Sequence, residues 1–166
     1  MRLVVADTGP LNYLVLIGAI GLLPKLFETV LVPQAVCDEL RHPVAPALVR
    51  IWAEHPPAWL DVRPSPAVAN DDPAWRTLDA GERAALALAR ALSADLVLMD
   101  DRAGVAVAHQ FGFAVTGTLG VLDLGARRGL IDLADAFTRL KGTNFRYRPE
   151  ILDALLAQHG NEDQER

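Results

Sequence analysis

Short, fully apolar runs separated by helix-length segments restrict this chain more than any other feature. Leu3–Ala6, Thr29–Val32, Leu96–Met99 and Phe113–Val115 are each only a few residues long and rich in apolar and β-branched side chains. A strand that is apolar at successive residues has no face for water, so it is covered on both sides. Helical segments intervene. Pro10 suits the first turn of a helix that runs to Ile17 and stops at Gly18, and Pro33 opens another through Leu40. Strands alternating with helices in this way predict an α/β chain, a three-layer α/β/α sandwich on a mostly parallel sheet. Right-handed crossovers gather the C-terminal ends of such strands on one rim, where open sheets place their ligand crevice.

The remaining elements are set by local signals. Leu22–Phe27 and Ala45–His55 read as helices, and Trp59–Val62 as a short edge strand after the Pro56-Pro57 break. Residues 64–73 read as a loop. Asp79 caps a helix over Ala80–Leu92, and Asp101–Phe111 is helical with Gly112 as its C-cap. Helices over Thr118–Arg128, Leu133–Leu140 and Pro149–His159 complete the set, leaving a frayed acidic tail over 161–166. A chain of 166 residues has the size of one domain.

Several function classes are disfavoured. The lone Cys37 excludes an internal disulfide framework, and the lack of a Cys/His cluster argues against structural zinc. Asn12, Gly18, Gly21, Pro24 and Lys25 divide the apolar segment Leu11–Leu26, which therefore lacks the run of about 18 apolar residues that a membrane span needs. The apolar stretch before Asp7 is too short for an export signal, so the expected location is cytoplasmic. A net charge of −5 argues against a nucleic-acid binder held by phosphate contacts alone, although Arg127, Arg128, Arg139, Lys141, Arg146 and Arg148 make the C-terminal third locally basic.

Carboxylates mark the element edges. Asp7 closes the first run, Glu39 lies on the helix after the second, Glu82 opens the alanine-rich helix, and Asp100-Asp101 closes the Leu96–Met99 run. Acids brought to one crevice repel each other, and a hard divalent cation is the natural way to hold them together. Oxygen ligands without His or Cys point to Mg²⁺ or Mn²⁺ acting on phosphate esters. Each acid also has a purely structural reading. Asp7 can cap the next helix, Glu39 can be a solvated helix residue, and Glu82 suits the positive end of a helix dipole. One of Asp100 and Asp101 caps the following helix while the other faces the crevice, and strand alternation leaves open which. Thr116–Gly120 is either a strand-to-helix turn or a source of hydroxyl and N–H groups for phosphate. It lacks the lysine of a P-loop and the glycine pattern of a dinucleotide site. The basic-aromatic run Arg139–Arg148 is either a solvated loop or an RNA contact.

The ordered set Val4-Val5-Ala6-Asp7-Thr8-Gly9-Pro10-Leu11, Pro33–Leu40 with its Glu39, Gly81-Glu82, and Asp100-Asp101-Arg102 resembles the PIN-domain superfamily. The nearer likeness is to its DUF3368 branch, which is similar to VapC-type toxins; Gly117–Leu122 and Gly129–Ile131 look like that branch too. The resemblance implies a PIN-like domain over 1–160 and a Mg²⁺- or Mn²⁺-dependent endoribonuclease that hydrolyses RNA phosphodiesters with a metal-activated water. It further implies the toxin of a toxin–antitoxin pair, with RNA as substrate, an antitoxin protein as partner and a homodimer as assembly; the interrupted apolar segment adds the expectation of no membrane association. By position Asp7 matches the first acid, Glu39 the second and Glu82 the third, with the fourth on Asp100 or Asp101. All five are candidate catalytic and metal-binding residues, and Thr8, Thr118 and Arg102 are candidate substrate contacts. VapC-type proteins usually carry Asp as the third acid, so Glu82 departs from that pattern. Two other readings compete. A haloacid-dehalogenase-type phosphatase needs a second Asp two residues after the first, where this chain has Gly9. A non-catalytic PIN-like interaction module would bind a small partner through the apolar helices of Leu11–Leu26.

Overall fold

The computed structural model describes residues 2–68 and 72–165. Its sheet comprises β1 (Val4–Ala6), β2 (Val30–Pro33), β3 (Leu60–Arg63), β4 (Leu96–Leu98) and β5 (Val115–Thr116). The strand order is β3-β2-β1-β4-β5, and all neighbours run parallel. Val5 lies opposite Leu31 on one side and Val97 on the other, which makes β1 the central strand. The expected edge strand is at the edge, shifted by one residue. The fourth apolar run pairs through Val115 and Thr116 rather than from Phe113, because Gly112 (φ +83°) and the two residues after it turn the chain out of the preceding helix.

Side-chain alternation divides the core in two. Val4, Ala6, Val30, Val32, Leu96 and Leu98 point to one face of the sheet, while Val5, Leu31, Val97 and Met99 point to the other. The first face is covered by α1 (Thr8–Leu16), α2 (Leu22–Phe27), α3 (Gln34–Arg41), α4 (Ala47–Glu54), α7 (Thr118–Arg127), α8 (Leu133–Lys141) and α9 (Pro149–Glu165). The second is covered by a 3₁₀ turn over Pro73–Thr77, α5 (Ala80–Leu92) and α6 (Arg102–Gln110). This is the expected three-layer α/β/α arrangement, and every strand residue from Val4 to Ala6 and from Leu96 to Leu98 is buried. Burying one such Val or Leu side chain contributes about 1.5–3 kcal/mol.

Two expectations need correction. The helices of Leu11–Leu26 do not form a partner surface: Leu11, Leu14, Ile17, Leu22, Leu23, Leu26 and Phe27 all lie in the core. The exposed large apolar side chains nearest them in sequence are Val44, Leu48 and Ile51, on α4 and the turn before it. The last helix also passes His159 and takes in residues 161–165, which were expected to fray. Arg127 on α7 pairs with Glu162 there, and His159 contacts Asp123. Of the loop expected over 64–73, residues 69–71 lie outside the described residues, as does Arg166 at the tail.

The chain runs from β1 outward to β2 and β3 on one side and returns to β4 and β5 on the other. The sheet therefore reverses its order between β1 and β4. In open parallel sheets, the crevice beyond the strand C-termini at this point is where ligands bind.

Candidate active site

Asp7 is the first residue after β1. Its N–H donates to the carbonyl of Leu98 on β4 (2.8 Å), which ties it to the strand whose end carries Asp100. Asp7 occupies the N-cap position of α1 but makes no side-chain capping bond, and its Oδ1 is buried without a hydrogen-bond partner. The structural explanation of this acid, a helix cap, therefore lacks the bond it requires. A buried polar oxygen left without a partner costs about 1–3 kcal/mol, and more when it carries charge, so such a group calls for an explanation. Burial pushes the Asp7 carboxyl up to about 8; the Thr8 backbone N–H opposes the rise, and the charges of Glu82, Asp79 and Glu39 add to it.

Glu82 comes from the first turn of α5. Asp79 and Glu82 form a reciprocal capping box: Asp79 Oδ1 accepts from the Glu82 N–H (2.8 Å), and Glu82 Oε2 accepts from the Asp79 N–H (3.0 Å). The box fixes the Glu82 side chain at the helix end while leaving its other oxygen free of that duty. Glu82 is only 7% exposed. Desolvation, with contributions from Asp79 and Asp101 and opposed by the Asp79 N–H, raises its carboxyl to about 7. Helix-capping and crevice-facing roles, which the sequence set against each other, coexist in one residue.

Glu39 reaches the same place from α3. Its Oε2 accepts from the Thr8 hydroxyl, and its carboxylate lies on the bare backbone of Gly81, where an added Cβ would sit 2.3 Å from Oε1. Asp100 is held on three sides. Its Oδ1 accepts from the Thr118 N–H (2.7 Å) and its Oδ2 from the Thr118 hydroxyl (2.6 Å). Gly9 and Gly117 leave room for it, and a Cβ on Gly117 would come within 2.6 Å of Oδ1. Burial raises the Asp100 carboxyl and the two Thr118 bonds lower it. Asp101 takes the other role foreseen for the doublet: it caps α6 by accepting from the Gly104 N–H (3.1 Å), and it stands beside Glu82.

One cleft of about 1180 Å³ is lined by Asp7, Thr8, Glu39, Glu82, Asp100, Asp101 and Arg102. Every candidate acid thus faces a single cavity. Thr118 is fully buried and turns its donors to Asp100, so it positions a carboxylate instead of offering those donors to a phosphate. Arg102 is exposed at the start of α6 on the cleft wall. The position two residues after Asp7, where a phosphatase of the competing type needs an acid, is packed against the Asp100 carboxylate; even a Cβ there would approach Oδ2 to 3.2 Å.

With this geometry in view, the match to known families is direct. A family model described as a PIN domain, DUF3368, matches residues 3–161. The chain belongs to the DUF3368 family of PIN domains. Searches of curated proteins and of solved structures find no significant match. PIN domains are generally nucleases, so the fold is of nuclease type and the chemistry to look for in the cleft is hydrolysis. Nucleases of this class typically use divalent metals. Among the described residues, no three of His, Cys, Asp and Glu close around an ion by themselves. The donor set nonetheless fits a hard cation of the Mg²⁺ kind, which is commonly held by one or two carboxylates and keeps several waters for the substrate to replace. The orphaned Asp7 Oδ1 is the oxygen that most needs such a partner.

Four participants were not anticipated as site residues. Asp79 was read as a cap alone, yet it lines the cleft and adds to the field on Asp7 and Glu82. Its position three residues before Glu82 was the available signal, because a capping box brings those two residues together. Tyr13 lines the cleft one helical turn beyond Pro10. Gly81 and Gly117 belong to the motifs that carry the family resemblance, but nothing local shows that a carboxylate from a distant element rests on each.

Proposed function

We propose that this PIN domain is a Mg²⁺- or Mn²⁺-dependent endoribonuclease. The observation that carries the proposal is the buried, unpartnered Oδ1 of Asp7 in a cleft shared with Glu39, Glu82, Asp100 and Asp101. Asp7, Glu39, Glu82 and Asp100 are the candidate ligands, of which one or two would hold the ion while substrate and water complete its shell, with Asp101 at the edge because one of its oxygens is committed to the α6 cap. A divalent cation bound there supplies a water of lowered pKa and offsets the charge that builds on the scissile phosphate. The chain's own residues do the positioning. Thr8 orients Glu39, Thr118 orients Asp100, the capping box orients Glu82, and the Asp7 N–H locks its residue to β4. Glu82, longer by one methylene than the Asp usual in VapC-type proteins, has its reach limited because the box ties it back to Asp79.

RNA is the substrate we assign, on the strength of the likeness to VapC-type ribonucleases. The same likeness supports a toxin role, with an antitoxin protein as inhibitor and a homodimer as the assembly. The test is direct. Purified protein should cleave single-stranded RNA with Mn²⁺ or Mg²⁺, EDTA should stop the reaction, and Asp7→Asn should lower the rate by about 10²-fold or more. Cleavage that survives Asp7→Asn overturns the assignment.

A second reading has one observation in its favour. Val44, Leu48 and Ile51 are 85%, 61% and 62% exposed and lie close together in the chain, as residues of a protein contact do. A chain that bound a small partner there and showed no divalent-ion binding by calorimetry would be an interaction module instead.

A further inference from the structure

Part of the wall of the cleft that holds the acids is built from the basic-aromatic segment between α8 and α9. Asn144, Phe145, Arg146, Tyr147 and Arg148 all line the cavity that holds Asp7, Glu39, Glu82 and Asp100. The segment is tied down. The Thr143 hydroxyl donates to the Leu140 carbonyl (2.6 Å) and accepts from the Phe145 N–H (3.2 Å). Tyr13 on α1 donates its hydroxyl to Asn144 Oδ1 (3.0 Å) and sets its ring edge-on to Phe145, with centroids 4.9 Å apart. Tyr13 lies within electrostatic reach of both Asp100 and Arg146. Phe145 and Tyr147 pack against the main core. Arg146 and Arg148 are exposed, and among the described residues neither forms a salt bridge. By contrast, Arg63, Arg127 and Arg139 are each paired with an acid.

Two unpaired guanidinium groups on an anchored segment, lining the same cleft as the carboxylates, complement the phosphates of a polynucleotide. We propose that Arg146 and Arg148 grip successive backbone phosphates of single-stranded RNA and so deliver one phosphate to the acids. The proposal rests on the ribonuclease reading and adds to it the residues that hold the strand. Arginine suits the task because its planar fork matches phosphate oxygens and its face stacks on bases. A single strand is the form that fits: its backbone bends freely, so one phosphate can enter the cleft floor, where Asp7 is 6% exposed, while its neighbours stay at the rim.

The experiment measures binding and cleavage separately on the full chain. Binding of a short labelled single-stranded RNA is followed by fluorescence anisotropy in EDTA across a salt series, and cleavage by steady-state kinetics with Mn²⁺. The Arg146→Ala/Arg148→Ala protein should bind about tenfold or more weakly, with a salt slope shallower by about 1.4, or about 0.7 per lost phosphate contact. Its KM should rise by a similar factor while kcat holds. The Lys/Lys version of the pair should recover most of the affinity, and Arg128→Ala, an exposed arginine away from the cleft, should change nothing. Wild-type protein that binds RNA through these arginines but cleaves nothing removes the ribonuclease reading and leaves the grip in place. A double variant that cleaves with unchanged KM and salt slope overturns the grip and leaves the nuclease. Failure of the wild type to bind the single strand, or equal binding of a duplex of the same sequence, also overturns the grip.

Discussion

Asp7 and Glu82 place two carboxyls where water hardly reaches, and that has a thermodynamic consequence. A carboxyl whose pKa rises on folding holds its proton more tightly folded than unfolded, so folding favours its neutral form. That contribution is intact below the unfolded value of 3.8 for Asp7 and is lost as pH climbs through about 8; for Glu82 the window runs from 4.5 to about 7. The metal-free protein should therefore melt at progressively lower temperature from about pH 4 to about pH 8. Adding Mg²⁺ or Mn²⁺ should restore more stability at the upper end of that range than at the lower. Asp7→Asn should flatten the slope, and a metal-free melting curve that is indifferent to pH would refute the account. A second expectation concerns Thr118, whose hydroxyl holds Asp100 Oδ2. Thr118→Val keeps the shape but removes that bond, and should lower kcat by about 10–100-fold, as loss of a ligand-orienting partner typically does. Thr118→Ser should recover most of the rate, and a Val variant of normal kcat would show that Asp100 needs no such support.

Elements carry these residues to one place through features of their own. Helix α5 begins with a complete capping box and ends where Ser93 takes a left-handed turn (φ +52°). Both ends are local in sequence, and the helix over Ala80–Leu92 has the bounds expected for it. What is not local is the contact of α5 with α3, where Glu39 rests on Gly81. Gly81→Ala separates the two. Alanine favours a helix by about 0.5–1 kcal/mol over glycine, so helix propensity predicts a gain in stability. The new Cβ occupies the position of the Glu39 carboxylate and must push it aside. The variant should keep or nearly keep its melting temperature while losing at least about tenfold in metal-dependent cleavage. Full activity in that variant would mean that Glu39 is not needed where it now lies.

At the scale of the whole molecule, the helical layer carrying α7, α8 and α9 shares one core with the face of the sheet that holds Val4, Ala6, Leu96 and Leu98. Phe137 on α8 is 1% exposed and lies in that core. Phe137→Ala should cost about 3–5 kcal/mol and lower the melting temperature by about 2–4 °C for each kcal/mol. Unfolding should remain a single transition, and cleavage at room temperature should be largely retained, since Phe137 does not line the cleft. A separate early transition would show that this layer folds independently of the sheet.

Sequence alone determined that the chain is an α/β sandwich with acids at the strand ends. Those facts depend on nearest neighbours: apolar runs bury themselves, prolines and glycines punctuate, and Asp79 caps the helix that begins beside it. It could not divide the roles of Asp100 and Asp101, because the chain path beyond β4 decides that Asp100 is held by Thr118 while Asp101 both lines the cleft and bonds the next helix. Nor could it show that Thr118 serves Asp100, that Gly81 and Gly117 are seats for carboxylates, or that the segment at Arg146 lines the same cleft as the acids. Each of those is a meeting of residues far apart in the chain. Only the order of strands around β1, with the reversal between β1 and β4, brings them together.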